Sequence, residues 1–397
     1  MKKRVLIIHS DMEIGGAETS LIGLLGSFDY SKTEVDLFLM EQKGELLELI
    51  PEQVNLLPER PEYRALVSKI KEALYQGKYA IALARICGKI IYQISAKLYG
   101  YTDRTYELKK LYQKLAIPFL SDFSDEYDMA ISYIDPHYIL QEKTRAKIRL
   151  GWVHTDFSRI NTRKKQDAKM WERCDYIVNV SASCTDAFTR TYPQLSDKAV
   201  TIENILLASY INKEANALVE DAFQKNEGFN LLSIGRFCEQ KSFDNVPMIC
   251  KLIRKAGLNV KWYLIGYGGD EALIRQRIQE AGMQEYVVIL GKRSNPYPYI
   301  KACDLYVQPS RYEGKCVTVR EAQMLGKPVV ITNYATSASQ LEDGVDGVVV
   351  PMDNEGCAAG IAALLRDPRQ MERLAQNCRE RDYSNAAEVE KLYEIME

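Results

Sequence analysis

Histidine is almost missing from this chain: three occur in 397 residues, at positions 9, 137 and 154. None has a His or Cys partner at ligand spacing, which argues against a metal centre built on imidazole. The nine cysteines are an odd number with no two at metal-finger spacing, and no secretory apolar segment follows Met1-Lys2-Lys3-Arg4. Free thiols in a reducing cytoplasm are therefore expected, and secretion is not. Long apolar runs are absent as well, because the most apolar stretch, 79–98, is broken by Arg85, Lys89 and Lys97 and is not read as a transmembrane span. A formal net charge of -2 lacks the positive excess of a general nucleic-acid binder. No solenoid-length repeat and no low-complexity segment interrupts the chain.

What is present is an ordinary soluble composition, 46% hydrophobic and 27% charged, in a chain too long for one core. Apolar runs at 5–8, 35–40, 127–132, 148–153, 176–180 and 199–202 read as strands, with helical patterns between most of them. Strand periodicity is lost over 204–228 and begins again at 229–234, then 260–265, 287–290, 305–308, 329–331 and 348–350. The fold class is α/β, with two doubly wound parallel sheets: one domain over 1–205, a second over 206–382 and a helical tail over 383–397. Ligands of such sheets bind outside the carboxyl ends of the strands, so a cleft between the two domains is the expected site.

The chemistry-bearing motifs fall at those strand ends. Gly235-Arg236 follows the first strand of the second domain, Lys241 stands five residues on, and Glu313 and Glu321 follow a later strand. Arg236 and Lys241 suit a departing phosphate, the first as a planar multi-donor fork and the second as a mobile point charge. Substitution of either is expected to lower activity and to spare folding. Glu313 lies in a loop and Glu321 in a helical run starting near Val317, which speaks against the paired carboxylates of a glycosidase. The N–H groups of Val317 and Thr318 open that helix without intrahelical partners and are ready to receive a diphosphate. Gly15-Gly16 and the turn from Gly266 to Gly269 follow strands in their respective domains, and Lys292-Arg293 follows a third strand of the second.

Taken together, GRFCEQKSF from Gly235, LIGYGGD from Leu264, PSRYEGKCVTVREAQMLGKPVV from Pro309, GGAE from Gly15 and WVHTD from Trp152 resemble a glycosyltransferase of family 4, and the resemblance runs over nearly the whole chain. It implies the GT-B architecture of two facing Rossmann-like domains with an interdomain cleft, the first binding the acceptor and the second the nucleotide sugar. It also implies retaining transfer, with Arg236, Lys241, Glu313 and His154 as catalytic residues. Donor contacts fall to Gly15, Gly16, Gly235, Gly266, Lys292, Arg293, Gly314, Lys315, Cys316, Val317, Thr318 and Glu321, the last accepting ribose hydroxyls. Lys315 and Cys316 depart from the aromatic and glycine common there. His9 and His137 have no motif behind them and are expected to be structural. No Asp-X-Asp pattern occurs, so neither a metal nor another cofactor is implied.

The resemblance points to transfer from a nucleotide sugar, most simply a UDP-sugar, to a glycan or lipid-linked acceptor in cell-surface polysaccharide synthesis. Alternatives are an epimerase of the same fold and a non-catalytic sugar-nucleotide-binding partner of another transferase. The expected location is cytoplasmic, peripheral at the inner membrane face. The tail, with Ala387, Leu392, Ile395 and Met396 in helical pattern, is expected to cross back onto the first domain. Within 62–118 eleven Lys or Arg stand against four Asp or Glu, a basic stretch suited to an anionic membrane surface. On a helix from Lys78 to Leu98, the apolar stripe of Leu83, Cys87, Ile90, Ile94 and Leu98 is expected to pack inward, leaving Lys78, Arg85 and Lys89 in solvent.

Overall fold

A computed structural model describes residues 2–101, 103–134, 136–218, 223 and 228–397. The chain divides into two compact units, Met1–Ile205 with Ala386–Glu397, and Leu206–Asn385.

The first unit is built on seven parallel strands: β1 (Lys3–His9), β2 (Thr33–Leu39), β3 (Asn55–Leu56), β4 (Glu126–Ser132), β5 (Arg145–Val153), β6 (Tyr176–Asn179) and β7 (Ala199–Thr201), in the order β3-β2-β1-β4-β5-β6-β7. Its central strands are continuous apolar runs because helices cover both faces of a parallel sheet; Val5, Leu6 and Ile7 are wholly buried. The tail belongs to this unit. Lys3 Nζ donates to the Met396 carbonyl at 2.9 Å, Tyr393 OH accepts from the Asp29 N–H at 2.7 Å, and Lys391 Nζ donates to the Thr201 carbonyl at 3.1 Å.

The second unit has six parallel strands, β8 (Phe229–Ile234), β9 (Val260–Ile265), β10 (Val287–Gly291), β11 (Leu305–Gln308), β12 (Val329–Thr332) and β13 (Val348–Val350), in the order β10-β9-β8-β11-β12-β13. Successive residues serve opposite layers, as the pleat requires. Leu231, Trp262 and Val307 join one buried cluster; Leu232, Tyr263 and Tyr306 join the other. All twelve strands expected from the sequence are present, and the added one, β3, has only two residues and no periodicity to show.

Between β3 and β4 lie the helices Pro61–Val67, Ile70–Tyr75, Tyr79–Tyr99 and Arg104–Ala116. Here the sequence reading is overturned. Arg85 is buried and its Nη1 donates at 2.6 Å to the carbonyls of both Ala65 and Ser68, at the end of the helix Pro61–Val67. Leu83, Ile90, Ile94 and Leu98 are 60%, 51%, 62% and 74% exposed. The inward face holds Ile81 and Arg85 together with the small residues Ala82, Ala84 and Gly88, which let the backbone approach its neighbour closely. A Cβ on Gly88 would stand 2.9 Å from the Tyr112 ring. A guanidinium closing two open carbonyls at a helix C-terminus outweighs the apolar count of the stripe. Below it, Lys110 Nζ bonds Glu107 at 2.7 Å and Asp167 at 2.8 Å, a buried cluster that ties the helix Arg104–Ala116 to the helix Lys164–Trp171.

Candidate active site

In the second unit the strand order reverses between β8 and β11, the position where an open parallel sheet leaves a ligand crevice. Gly235-Arg236 leaves the end of β8, and Pro309 to Cys316 leaves the end of β11 and enters the helix Val317–Met324. The two glycine turns fit together. The Gly235 N–H donates to the Ile265 carbonyl at 3.0 Å and the Phe237 N–H to the Tyr267 carbonyl at 2.9 Å. Gly266 has φ +151, and a Cβ there would stand 1.9 Å from the Gly235 carbonyl oxygen. The LIGYGGD turn therefore needs glycine to let backbone meet backbone, not only to approach a ligand.

Lys241 ends the short 3-10 turn Glu239–Lys241 and is followed by Ser242 at φ 58, ψ 28, a left-handed conformation that is uncommon without glycine. Its stem folds over Gly235, where a Cβ would stand 3.1–3.3 Å from Lys241 Cε, Cδ and Cγ. The ammonium reaches Glu313 Oε1 at 2.6 Å and Cys316 Sγ at 3.6 Å. Burial alone would loosen its proton, but the charge and hydrogen bond of the Glu313 carboxylate oppose burial and hold Lys241 above the ordinary lysine range. Burial pushes the Cys316 thiol up despite the Lys241 charge, so it stays protonated and is a packing group, not a nucleophile.

Glu313 is 4% exposed and well furnished with donors. Ser310 Oγ donates to Oε1 at 2.5 Å and Gln240 Nε2 to Oε2 at 3.1 Å, while Thr336 Oγ1 holds the Glu313 carbonyl at 2.7 Å. Tyr306, Gln308 and Ser310 recur at every second residue and so share a face. Tyr306 OH lies 2.9 Å from Gln308 Oε1, and Gln308 Nε2 donates to Ser310 Oγ at 2.9 Å. Because Ser310 accepts on one side, its own proton goes to Glu313. The file of side chains under β11 thus fixes that carboxylate in place.

Arg236 is exposed, with no ion-pair partner among the described residues, a cation available to a ligand. Gly314 and Lys315 are buried, so the Lys315 side chain does not stand out in solvent. The peptide at Cys316 is clamped by Gln340, whose Oε1 accepts from the Cys316 N–H at 2.7 Å and whose Nε2 donates to the Cys316 carbonyl at 3.2 Å. That fixes the start of the helix carrying Val317 and Thr318. Glu321, in the same helix, is 3% exposed and accepts from Tyr297 OH at 3.1 Å. Burial pushes its carboxyl up to about 7, and the Tyr297 bond only partly opposes this. Lys292 and Arg293 follow β10, the edge strand, apart from the Lys241–Glu313 network; Lys292 Nζ lies 5.5 Å from the Tyr267 ring centre and Arg293 Nε donates to Tyr299 OH at 3.0 Å.

The first unit has its own cluster at the matching reversal, between β1 and β4. His9 ends β1, Tyr133 follows β4 and His154 follows β5. The Tyr133 ring centre is 5.9 Å from that of His9 and 4.8 Å from that of His154. His9 Nε2 lies 3.0 Å from Glu18 Oε1. The Glu18 carboxylate folds back over the turn, its Oε2 2.2 Å from where a Gly15 Cβ would be. Burial would raise Glu18, yet the His9 hydrogen bond and charge hold it below the ordinary range. The helix start at Gly15-Gly16 is thus already faced by a carboxylate. Burial, then His9, lowers His154 to about 4, and its Nε2 is buried with no hydrogen-bond partner. His137 is packed against Trp171, ring centres 4.6 Å apart.

Sequence reasoning missed Ser310, Gln240, Gln340 and the pairing of His9 with Glu18. Ser310 left a faint signal, its two-residue spacing from Gln308 and Tyr306; Gln340 left none, since 336–341 has no periodic pattern.

Residues 217–381 match the family model described as glycosyl transferases group 1. The chain is 27% identical over 158 residues to the amylovoran biosynthesis glycosyltransferase AmsK of Erwinia amylovora, 38% of each chain. It is 24% identical over 202 residues to an N-acetylgalactosamine-N,N'-diacetylbacillosaminyl-diphospho-undecaprenol 4-alpha-N-acetylgalactosaminyltransferase of Campylobacter jejuni, 50% of this chain and 53% of that one. The first curated relatives are matched over about two-fifths of their own length, 37–39%. In fold, the chain is similar to Anabaena HepE, crystallised with UDP-glucose, at TM-score 0.66 and 16% identity over 99% of both chains. With two Rossmann-like sheets of the GT-B kind and this match across the Lys241–Glu313 site, the chain carries a glycosyl transferases group 1 domain at residues 217–381.

Proposed function

We propose that the protein transfers a sugar from a UDP-linked donor, with retention, to a hydroxyl of a glycan or lipid-linked acceptor in cell-surface polysaccharide synthesis. The observation that carries this reading is the Lys241–Glu313 pair, 2.6 Å apart beside the exposed Arg236 at the β8/β11 reversal. Loss of UDP from an anomeric carbon builds negative charge on the β-phosphate. Arg236, Lys241 and the open N–H groups of Val317 and Thr318 are the positive groups placed to meet it, and fixed dipoles at such a site need little reorganisation. Glu313, locked by Ser310 and Gln240, faces the donor sugar, and Glu321 accepts the ribose hydroxyls. Gly235 and Gly266 shape the turn beside the nucleotide, Gly314, Lys315 and Cys316 form the loop beneath the diphosphate, and Lys292 and Arg293 lie toward the base. His154, Gly15 and Gly16 keep the roles implied by the family resemblance, and the neutral His154 with its free Nε2 suits a hydrogen bond to a sugar hydroxyl. The acceptor class is supported by the names of the Erwinia and Campylobacter relatives.

The test is a thermal-shift panel of nucleotide sugars followed by UDP release with the stabilising donor, since a ligand that binds the folded state alone raises its melting temperature. Stabilisation by a UDP-sugar and slow UDP release, both lost in Arg236→Ala, are expected. A new sugar nucleotide formed without acceptor would make the chain an epimerase instead. Binding without any turnover under all acceptors would make it a non-catalytic partner. Loss of activity in EDTA, restored by Mg²⁺, would overturn the metal-independent reading.

A further inference from the structure

We propose that the outward face of the helix Tyr79–Tyr99 is a docking surface for an anionic phospholipid bilayer, lying in the plane of the membrane. This inference stands on the first unit alone and does not depend on the transferase reading. Tyr79, Leu83, Ile86, Ile90, Ile94 and Leu98 recur every three or four residues and are 68%, 60%, 40%, 51%, 62% and 74% exposed. On a helix rising 1.5 Å per residue they form a stripe about 29 Å long. A contiguous apolar face of that size marks a binding surface in a folded protein.

Three further observations name the occupant. Residues 73–102 contain no Asp or Glu, while Lys89 and Lys97 are exposed on or beside the stripe. A second copy of the helix laid on the first would therefore set cation against cation with no carboxylate to compensate, whereas an anionic leaflet complements them. Arg85, the cation in the first half of the helix, is turned inward onto the Ala65 and Ser68 carbonyls and so does not oppose burial of the stripe. Tyrosines stand at both ends, Tyr75 90% and Tyr99 46% exposed, and rings with an apolar body and a polar tip settle at the headgroup layer. Among the described residues no helix is long and apolar enough to cross a membrane, so the face lies on the bilayer and does not span it.

The experiment is co-flotation of the full chain with vesicles of phosphatidylglycerol and phosphatidylcholine, against phosphatidylcholine alone. The wild type is expected to float with the anionic vesicles and to be only partly released by high salt, because screening removes the electrostatic share and leaves the apolar one. Leu83→Ser/Ile90→Ser/Ile94→Ser and, separately, Lys89→Glu/Lys97→Glu are each expected to lose binding by about tenfold or more with unchanged melting temperature, since all five side chains are exposed. In Leu83→Trp, indole fluorescence is expected to shift to the blue on adding anionic vesicles, a readout that keeps the proposal open to test if the triple variant misfolds. Equal flotation of wild type and triple variant, no blue shift, or a wild type that stays soluble while forming a dimer abolished by the serine substitutions would overturn it; the dimer would hand the face to a second copy.

Discussion

Replacement of Lys241 by Met keeps the stem that lies over Gly235 and removes only the ammonium, which isolates its charge. Glu313 would then be a 4% exposed carboxylate with Ser310 and Gln240 as its remaining side-chain donors. Breaking a buried pair by deleting one partner costs about 3–5 kcal/mol. The Lys241 side chain is 15% exposed, and water reaching the gap reduces the cost to about 2–4 kcal/mol. For a domain of this size each kcal/mol moves the melting temperature by about 2–4 °C, so a fall on the order of 5–15 °C is expected. The sequence alone led to the expectation that folding is spared; the buried Glu313 carboxylate predicts a loss of stability instead. In Lys241→Met/Glu313→Gln both charges go, Ser310 still donates to the amide oxygen, and the melting temperature is expected to return most of the way to wild type. UDP release from the stabilising donor should fall about a hundredfold or more in both variants, because charge on the leaving phosphate loses its counterpart in each. Circular dichroism melts at neutral pH together with a UDP-release assay decide the matter. A single variant that melts with the wild type, or a double variant no more stable than the single, would refute the coupling of Lys241 to Glu313.

Arg236→Ala, which removes an exposed group with no ion-pair partner among the described residues, is expected to leave the folding stability within about 0.5 kcal/mol of wild type and to lower UDP release about a hundredfold; a large loss of stability would contradict its exposure. Gly266→Ala forces a Cβ to 1.9 Å from the Gly235 carbonyl oxygen at φ +151, so the two turns must part, and a destabilisation of about 3–5 kcal/mol is expected in denaturant melts; a neutral outcome would mean that the turns are not packed as described. Burial lowers His154 to about 4, so in histidine-selective NMR one ring should remain neutral down to about pH 5, and its titration near pH 6.5 would show that the ring is not buried beside His9. Glu321 titrates near 7 when folded against about 4.5 when unfolded, so the folded state binds its proton more tightly. Its contribution to stability is fully present below about pH 4.5 and is lost as pH rises to about 7, roughly 3 kcal/mol in all. Glu321→Gln should therefore match the wild type in acid and exceed it above neutrality. Nucleotide affinity should move the other way, rising in the wild type as the carboxylate ionises and weakening in the variant; a variant no more stable than wild type at pH 8 would remove the argument.

The sheets were legible because a strand in a doubly wound fold is buried on both faces and must be an apolar run between helices, as 5–8, 260–265 and 305–308 are. Motif order placed Arg236, Lys241 and Glu313 in the loops after strands for the same reason, and Glu321 in the helix that follows. What failed was the direction in which particular side chains point. The sequence pattern of the helix Tyr79–Tyr99 separates Arg85 from Leu83 and Ile90 onto opposite faces, and hydrophobicity alone turns the leucine face inward. The decision belongs to contacts with no local signature: two open carbonyls at Ala65 and Ser68 that a guanidinium closes, and Ala84 and Gly88 whose small size lets the helix sit close on that side. The inward burial of an Arg and the exposure of Ile94 and Leu98 are thus one event. The same limit applies at the site. Ser310 and Gln340 are ordinary polar residues until β11 and the 336–341 segment bring them against Glu313 and Cys316. His9 is one of three scattered histidines until the turn after β1 folds Glu18 back onto it. Periodicity reports which face an element has; only the tertiary partners decide where that face points, and a face left apolar toward solvent is where the next partner is to be sought.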